Sequence, residues 1–345
     1  MENNAQVILF GAGLIGQKAL HYYGRDRVFC FVDNKKCGST FFGKRVISFE
    51  ELKKIYENYR VILSVVYENA EFLKTQCSEH GIKAELWLDV ISYDAFPLDA
   101  GLRQFEKKHR GHRCFLIGNG PSLREQDLEK LFENGDLSFG CNHIKNIYDK
   151  THWRPNYLMA SDPYLIAEHI EKIASTQADA KFLPYLDQIF ENSKAAEATM
   201  KKGGGEVYYF DSIHRPSRPA EIQFSDNPAK ALYDSTTVMY LMLQMAVYMG
   251  FSQIYLLGVD NSPPPLNGAP NSQNPSAHFY ADKKGEAERS ANKFASFVSG
   301  AAASLTEHSY REAERYSRAH GCRIYNATRG GLLEIFERVE FDTLF

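Results

Sequence analysis

Short apolar runs separated by helix-like stretches recur in a regular order through the first 95 residues. Five runs have the length expected of buried strands, and they lie at 7–10, 28–32, 44–47, 61–66 and 84–88. A helix after the third run is predicted to begin at Ser48, because Glu51 follows three residues later as in a capping box. Strands that alternate with helices favour a parallel sheet, so residues 1–95 are predicted to form a small Rossmann-like domain.

A glycine-rich turn lies between the first strand and the first helix of this domain. Gly11, Gly13 and Gly16 form a GxGxxG pattern, and Asp33 ends the second strand, where a Rossmann domain hydrogen-bonds a ribose. Five strands lack the second half of a full dinucleotide site, and the domain resembles the short nucleotide-sugar-binding domains fused to bacterial glycan-modifying enzymes such as sugar acyltransferases. Two alternatives stay open: a nucleotide-sugar site, or a ligand-free fold used for oligomerisation or docking.

The pattern breaks at residues 96–112, where Pro97, Gly101 and a basic run interrupt it. We predict a linker here, followed by a larger domain over 113–345 in which strands and helices alternate again. A chain of 345 residues exceeds what one core usually supports, which favours two domains. The fold class is therefore predicted to be α/β, with two Rossmann-like domains and mainly parallel sheets.

The second domain opens on an apolar run, 114–117, that ends at Gly-Asn-Gly-Pro-Ser. A helical pattern follows directly, so the turn is predicted to lie at a helix N-terminus, where free N–H groups and the helix dipole favour an anion. The candidate ligands are Gly118, Asn119, Gly120 and Ser122. The alternative is a turn without a ligand.

The next two predicted strands also end in polar residues, Asn142 and Asp162. Carboxyl ends of parallel strands meet at one sheet edge, where open α/β folds bind ligands. Farther on, a nearly all-apolar helix runs to Met249, and Thr236 and Thr237 at its start predict a second anion site.

The following strand leads into Asp260 and then into a polar segment, 261–277, rich in Pro, Asn, Ser and Gly. We predict that this segment is a lid over the site, with His278 directly after it. The alternative for His278 is a histidine on a surface loop.

Charge, cysteine spacing and the length of apolar runs bear on the partners and the cellular location of the protein. The net charge of −3 argues against a nucleic-acid partner. The six cysteines are scattered without CxxC spacing, which predicts a reducing cytoplasmic location. No apolar run approaches the roughly 18 residues that span a bilayer, so a soluble protein is expected, with association at a membrane surface left open.

A resemblance follows from the order of these motifs. The chain resembles the bacterial MptE-like family, which includes the Maf glycosyltransferases. The resemblance rests on IGNGPSL, a strand ending in CN, a strand ending in SDP, GFSQIYLLGVD, HFY and RIYNATRGG, in this order. The chain is also similar, more distantly, to the sialyltransferases of glycosyltransferase family 42. The resemblance spans about 112–345 and implies a metal-independent transferase with a CMP-activated nonulosonic acid as donor. Archaeal relatives instead transfer diphosphate from ATP to a hydroxymethylpterin with magnesium.

The resemblance also implies roles for single residues. Asn142 and Asp162 correspond to positions facing the nucleotide, although the sialyltransferases have Asn-Pro where this chain has Asp162-Pro163. Thr237 corresponds to a hydroxyl residue at a helix start, but the arginine that precedes it in sialyltransferases is absent. The loop that holds the nucleotide phosphate and ribose corresponds to Gly118, Asn119, Gly120 and Ser122.

His278 corresponds to the general base, and Asp260 is the second residue expected to be catalytic. A histidine suits this role because its pKa lies near neutrality. The leading hypothesis is a glycosyltransferase of surface-polysaccharide or glycoconjugate assembly that needs no metal or cofactor besides its nucleotide-sugar donor and acts on a glycan or lipid-linked acceptor. The alternatives are a pterin-type pyrophosphokinase using Mg²⁺ and a non-catalytic sugar-nucleotide-binding protein. Oligomeric state is left open.

Overall fold

The computed structural model describes residues 6–214, 222–261, 278–279 and 301–345. The chain divides into two compact units. The first comprises Met1–Pro97 and Tyr185–Glu197, and the second comprises Leu98–Pro184 and Ala198–Phe345.

The segment predicted as a linker differs from expectation. Residues 98–112 belong to the second unit, where Leu102 and Phe105 are each 1% exposed within the hydrophobic core. The basic side chains of this segment stay at the surface while its apolar side chains pack inward. Nothing in the sequence signalled the converse case, residues 185–197, which belong to the first unit.

The sheet of the first unit has six strands in the order β3-β4-β2-β1-β5-β6. Its neighbours pair in parallel, except for the antiparallel pair β3 and β4. The strands are β1 (Val7–Phe10), β2 (Val28–Val32), β3 (Thr40–Phe41), β4 (Lys44–Ile47), β5 (Arg60–Leu63) and β6 (Ala84–Leu86). The helices are α1 (Leu14–Tyr23), α2 (Phe49–Leu52), α3 (Tyr67–Ser78) and α4 (Trp87–Val90).

The capping box predicted at the start of α2 is confirmed. The Ser48 hydroxyl accepts the N–H of Glu51 at 3.2 Å, and the Glu51 carboxylate accepts the N–H of Ser48 at 2.9 Å. Each bond satisfies a backbone donor that the first helical turn leaves free.

The second unit is built on an eight-stranded sheet, ordered β11-β10-β9-β8-β7-β14-β15-β16 and parallel at every pairing. These strands are β7 (Arg113–Ile117), β8 (Ser138–Cys141), β9 (Tyr157–Met159), β10 (Ala180–Pro184), β11 (Glu206–Phe210), β14 (Gln253–Leu257), β15 (Arg323–Asn326) and β16 (Glu337–Arg338). A separate parallel pair consists of β12 (Ser212–His214) and β13 (Leu232–Asp234). The predicted α/β class with mainly parallel sheets is confirmed.

The remaining helices are α5 (Ala100–Arg103), α6 (Glu125–Asn134), α7 (Pro163–Ala174), α8 (Ser193–Lys201), α9 (Val238–Tyr248) and α10 (Ala301–Ala319). The predicted all-apolar helix is α9, and its residues 239–246 are all buried. A helix buried on every side needs an apolar sequence all round, which explains its weak amphipathicity. Within the described ranges, no helix is long and apolar enough to cross a membrane.

Candidate functional site

The centre of the eight-stranded sheet contains a topological switch point. From β7 the chain moves outward on one side through β8 to β11, and later returns to place β14 on the other side of β7. The loops after β7 and β14 therefore leave the same sheet edge in opposite directions. In open α/β sheets a crevice forms at such a point, and it is the usual ligand site.

Backbone hydrogen bonds join the two loops. The N–H of Gly118 donates to the carbonyl of Leu257 at 2.8 Å, and the N–H of Gly120 donates to the carbonyl of Gly258 at 2.9 Å. A Cβ atom at Gly118 would lie 2.4 Å from the Gly258 carbonyl oxygen, and one at Gly120 would lie 1.9 Å from a carboxylate oxygen of Asp260. Glycine is required at both positions because the loops approach this closely.

The predicted helix start after this loop is wrong. Helix α6 begins at Glu125 with Arg124 as its N-cap, two residues later than a helix that starts directly after the Gly-Asn-Gly-Pro-Ser turn. The acidic side chains of Glu125 and Asp127 occupy the first turn of α6, where an anion was expected. The N–H groups of Gly118 and Gly120 donate to the carbonyls of Leu257 and Gly258, so neither is free to bind a phosphate.

Asp260 connects the two loops through its side chain. Its Oδ2 atom accepts the hydroxyl of Ser122 at 2.8 Å and the N–H of Ser122 at 3.4 Å. Burial raises the pKa of the Asp260 carboxyl, and the two bonds from Ser122 only partly oppose this shift. The carboxylate therefore costs folding stability at neutral pH.

We expect Asp260→Asn to raise the melting temperature at pH 7. A carboxyl whose pKa is raised by folding is most favourable in its protonated form, so its stabilising contribution is full below the unfolded pKa, about 4, and is lost as pH rises through the folded value. The gain from Asp260→Asn should therefore shrink as pH falls toward 4. Melting curves of both proteins from pH 4 to 8 test this, and a gain that does not change with pH would contradict it.

Two amide oxygens at the same sheet edge lack hydrogen-bond partners among the described residues. The Nδ2 atom of Asn119 donates to the carbonyl of Cys141 at 3.1 Å, which leaves its buried Oδ1 unpaired. Asn142, next to Cys141, has a left-handed backbone (φ 50°), and its Oδ1 is also buried and unpaired. The structure therefore brings together two predicted site residues, each with a buried acceptor.

Other predicted ligands serve as helix caps. Asp162 is the N-cap of α7, and its carboxylate accepts the N–H groups of Tyr164 and Leu165 at 2.9 and 3.2 Å. Thr237 is the N-cap of α9 and accepts the N–H of Met239 at 3.2 Å. The Thr236 hydroxyl pairs with the hydroxyl of Thr306 on α10. A nucleotide contact at these three residues stays a prediction.

His278 lies beside the first loop, because the N–H of its neighbour Phe279 donates to the carbonyl of Asn119 at 2.9 Å. Both residues are half-buried. The structure thus places the predicted base next to the predicted nucleotide loop. Residues 262–277 of the predicted lid lie outside the described residues.

A loop after β15 also supports the site, and no predicted site residue lies on it. The hydroxyl of Thr328 accepts the N–H of Val259 at 3.1 Å, and the N–H of Leu332 donates to the carbonyl of Asp260 at 2.7 Å. Gly331 has φ 73°, and a Cβ there would lie 2.6 Å from the Asp260 carbonyl oxygen. The signal that could have revealed this loop is the Arg-Gly-Gly sequence directly after a strand.

In the first unit, the loop that carries the GxGxxG pattern has close backbone contacts at two of its three glycines. A Cβ on Gly11 would lie 2.5 Å from the carbonyl of Ser64, and one on Gly16 would lie 2.2 Å from the carbonyl of Gly11. A Cβ on Gly13 would meet nothing within 4 Å, so this residue faces open space. The Asp33 carboxylate accepts backbone N–H groups from residues 12, 35 and 36, at 3.3, 2.9 and 3.2 Å. It thereby fixes the turn, and its ribose contact stays a prediction.

Within the described ranges, no group of three or more His, Cys, Asp or Glu side chains is arranged to hold a metal ion.

Comparisons with known proteins gave one distant structural match. No protein-family model matches the chain, and no curated protein is significantly similar to it. Among solved structures, the chain is similar to a Maf glycosyltransferase from Magnetospirillum magneticum AMB-1, at 14% sequence identity and a TM-score of 0.39. The match covers 99% of this chain and 58% of that one, and it is too distant to carry an argument about function.

Proposed function

We propose that the second unit is a glycosyltransferase that binds the nucleotide of a CMP-activated acidic sugar at the switch point between β7 and β14. The observation that carries this proposal is the pair of buried amide oxygens on Asn119 and Asn142, which have no hydrogen-bond partner among the described residues. An unsatisfied buried acceptor costs about 1–3 kcal/mol, so a ligand that supplies donors would be favoured at both atoms.

The polarity of these atoms selects the type of ligand. A phosphate group at neutral pH has few or no protons to donate, whereas a nucleoside offers ribose hydroxyls and, in cytosine, an amino group. Because both free atoms are acceptors, we place the nucleoside at the ends of β7 and β8. The CMP assignment itself rests on the resemblance described above.

The reaction then needs one proton acceptor. The acceptor hydroxyl oxygen attacks the anomeric carbon of the donor sugar, and the bond from that carbon to the phosphate oxygen breaks. CMP leaves with the bonding electrons, and the His278 imidazole takes the hydroxyl proton. We propose a glycan or lipid-linked acceptor and no catalytic metal ion.

The pyrophosphokinase alternative gains no support from the carboxylates. It would need acidic side chains to hold magnesium on a triphosphate. Asp162 accepts two backbone N–H groups at the start of α7, and Asp260 accepts two bonds from Ser122. Both carboxylates therefore have structural uses.

Asn119→Ala is expected to weaken CMP binding at least tenfold without unfolding the unit, since the side chain lies on a loop outside the core. Titration calorimetry with CMP measures this. Asn134→Ala is the matched control, because Asn134 is an exposed asparagine at the end of α6 whose side chain donates to the carbonyl of Lys130 in the same helix.

A ligand series completes the test. If Asn119 or Asn142 receives a ribose hydroxyl, 2′-deoxy-CMP should bind the wild type more weakly than CMP, by about one hydrogen bond or roughly tenfold. Equal CMP affinities for the wild type and Asn119→Ala would show that this loop does not bind the nucleotide.

A further inference from the structure

A pocket of about 340 Å³ lies at the carboxyl edge of β15 and β16. Its walls include the N-cap residue Arg124, the loop from Thr328 to Gly330, and Arg338, Glu340 and Phe341. Ligand pockets usually measure about 300–1,000 Å³, so this one is at the lower end and suits a ligand of monosaccharide size.

Two of the lining arginines have guanidinium N–H groups that donate no hydrogen bond within the described part of the chain. Arg329 holds the buried Asp127 through Nε and Nη2, at 2.9 Å each, and Asp342 through Nη2 at 2.8 Å, which leaves its Nη1 group unused. The guanidinium of Arg124 is exposed and makes no hydrogen bond to the described residues, although its charge helps to lower the pKa of Asp342. An arginine anchored on one edge and open on the other is well suited to bind an oxyanion, because its position is already fixed.

The third arginine shapes the wall. Arg338 donates through Nη1 to the carbonyl of Gly330 at 2.8 Å, and it forms an ion pair with Glu334 at 2.6 Å. These bonds use its guanidinium and hold the 328–331 loop in place. The exposed carboxylate of Glu340 also lines the pocket and provides an acceptor for hydroxyl groups.

We propose that this pocket binds a sugar acid, with the carboxylate on Arg124 and Arg329 and a hydroxyl on Glu340. A bare anion would meet repulsion from Glu340, whereas a ligand that combines one carboxylate with several hydroxyls satisfies both kinds of lining group.

The pocket adjoins the switch point. Arg124 follows Ser122 by two residues, and Ser122 holds Asp260. On the opposite wall, Thr328 holds Val259. The role of the sugar acid, as part of the donor or of the acceptor, rests on the proposed function. The affinity of the pocket for the free acid can be measured independently of that function.

Ligand-observed NMR with glucuronate, and with glucose as the neutral counterpart, tests the proposal on the full chain. We expect the wild type to bind glucuronate with a dissociation constant in the millimolar range and glucose at least tenfold more weakly. Arg124→Gln should lose at least tenfold in glucuronate affinity. Arg323→Gln should match the wild type, because Arg323 is an exposed arginine at the opposite end of β15.

Three results would overturn the proposal: no binding of glucuronate, equal binding of glucose, or unchanged affinity in Arg124→Gln. Binding of inorganic phosphate alone, with the same dependence on Arg124, would also overturn it in favour of a phosphate site. CMP titrations with these proteins separate the outcomes. Arg124→Gln that retains CMP affinity but loses glucuronate supports the pocket, and failure of CMP binding in every protein would affect only the proposed function.

Discussion

His278→Ala is expected to lower turnover by roughly 10²- to 10⁴-fold, the usual contribution of a general base, while CMP affinity changes little. The structure places His278 one residue from the N–H group that bonds to the Asn119 carbonyl, at the edge of the proposed nucleotide site. In the proposed reaction the His278 imidazole takes the acceptor's proton, and an alanine side chain has no group that can replace it.

The assay follows transfer from a CMP-activated acidic sugar by the wild type and by each variant. His308→Ala is the matched control, because His308 is an exposed histidine on α10 that bonds to the carbonyl of Ser304 within its own helix. Equal rates for His278→Ala and His308→Ala would remove His278 from the mechanism.

A chelator arm separates the two enzymatic hypotheses. Phosphoryl transfer depends on metal ions that neutralise charge on the phosphates, so EDTA should stop a pyrophosphokinase. The proposed sugar transfer should continue in EDTA. Loss of activity in EDTA, together with near-normal rates for His278→Ala, would favour the kinase alternative.

The sequence predicts the sheets well because a strand that is buried on both faces is a continuous run of apolar residues. β7 and β14 are continuous apolar runs, and each is followed by glycine where the two loops approach closely. Local chemistry also located Ser48 as the cap of α2. Helix α10 was not predicted, although its charged residues have helical spacing, with ion pairs such as Arg311–Glu307 four residues apart.

The functional chemistry depends on contacts between segments distant in sequence, and these were harder to predict. The carboxylate of Asp127 in the first turn of α6 accepts two hydrogen bonds from Arg329, about 200 residues away. A local pattern cannot show that partner, so the sequence alone predicts a helix terminus that is open to an anion. Likewise, the sequence does not show that the amide oxygens of Asn119 and Asn142 are buried. Only the fold shows this, together with the lack of a partner for either oxygen in the part of the chain that the structure describes.

Gly120→Ala should disrupt the site more than any other single-methyl change in the two loops. The added Cβ would lie 1.9 Å from Oδ2 of Asp260 and 2.7 Å from the Gly258 carbonyl oxygen. The Asp260 carboxylate must then move away from Ser122, which breaks the bond that joins the loops. Overpacking of this kind typically costs about 1–3 kcal/mol, and we expect CMP affinity to fall at least tenfold because Asn119 lies on the displaced loop.

Gly204→Ala is the matched control in the same unit, because a Cβ there would meet nothing within 4 Å. Urea denaturation and CMP titration of both variants test the prediction, and Gly204→Ala should stay within about 0.5 kcal/mol of the wild type. Combining Gly120→Ala with Asp260→Ala should recover part of the lost stability, since the shorter side chain removes the closest of the two contacts. If Gly120→Ala matches Gly204→Ala in both measurements, the two loops are not held together as the structure shows. A double variant no more stable than Gly120→Ala would instead place the strain on the Gly258 carbonyl, whose position no side-chain change can relieve.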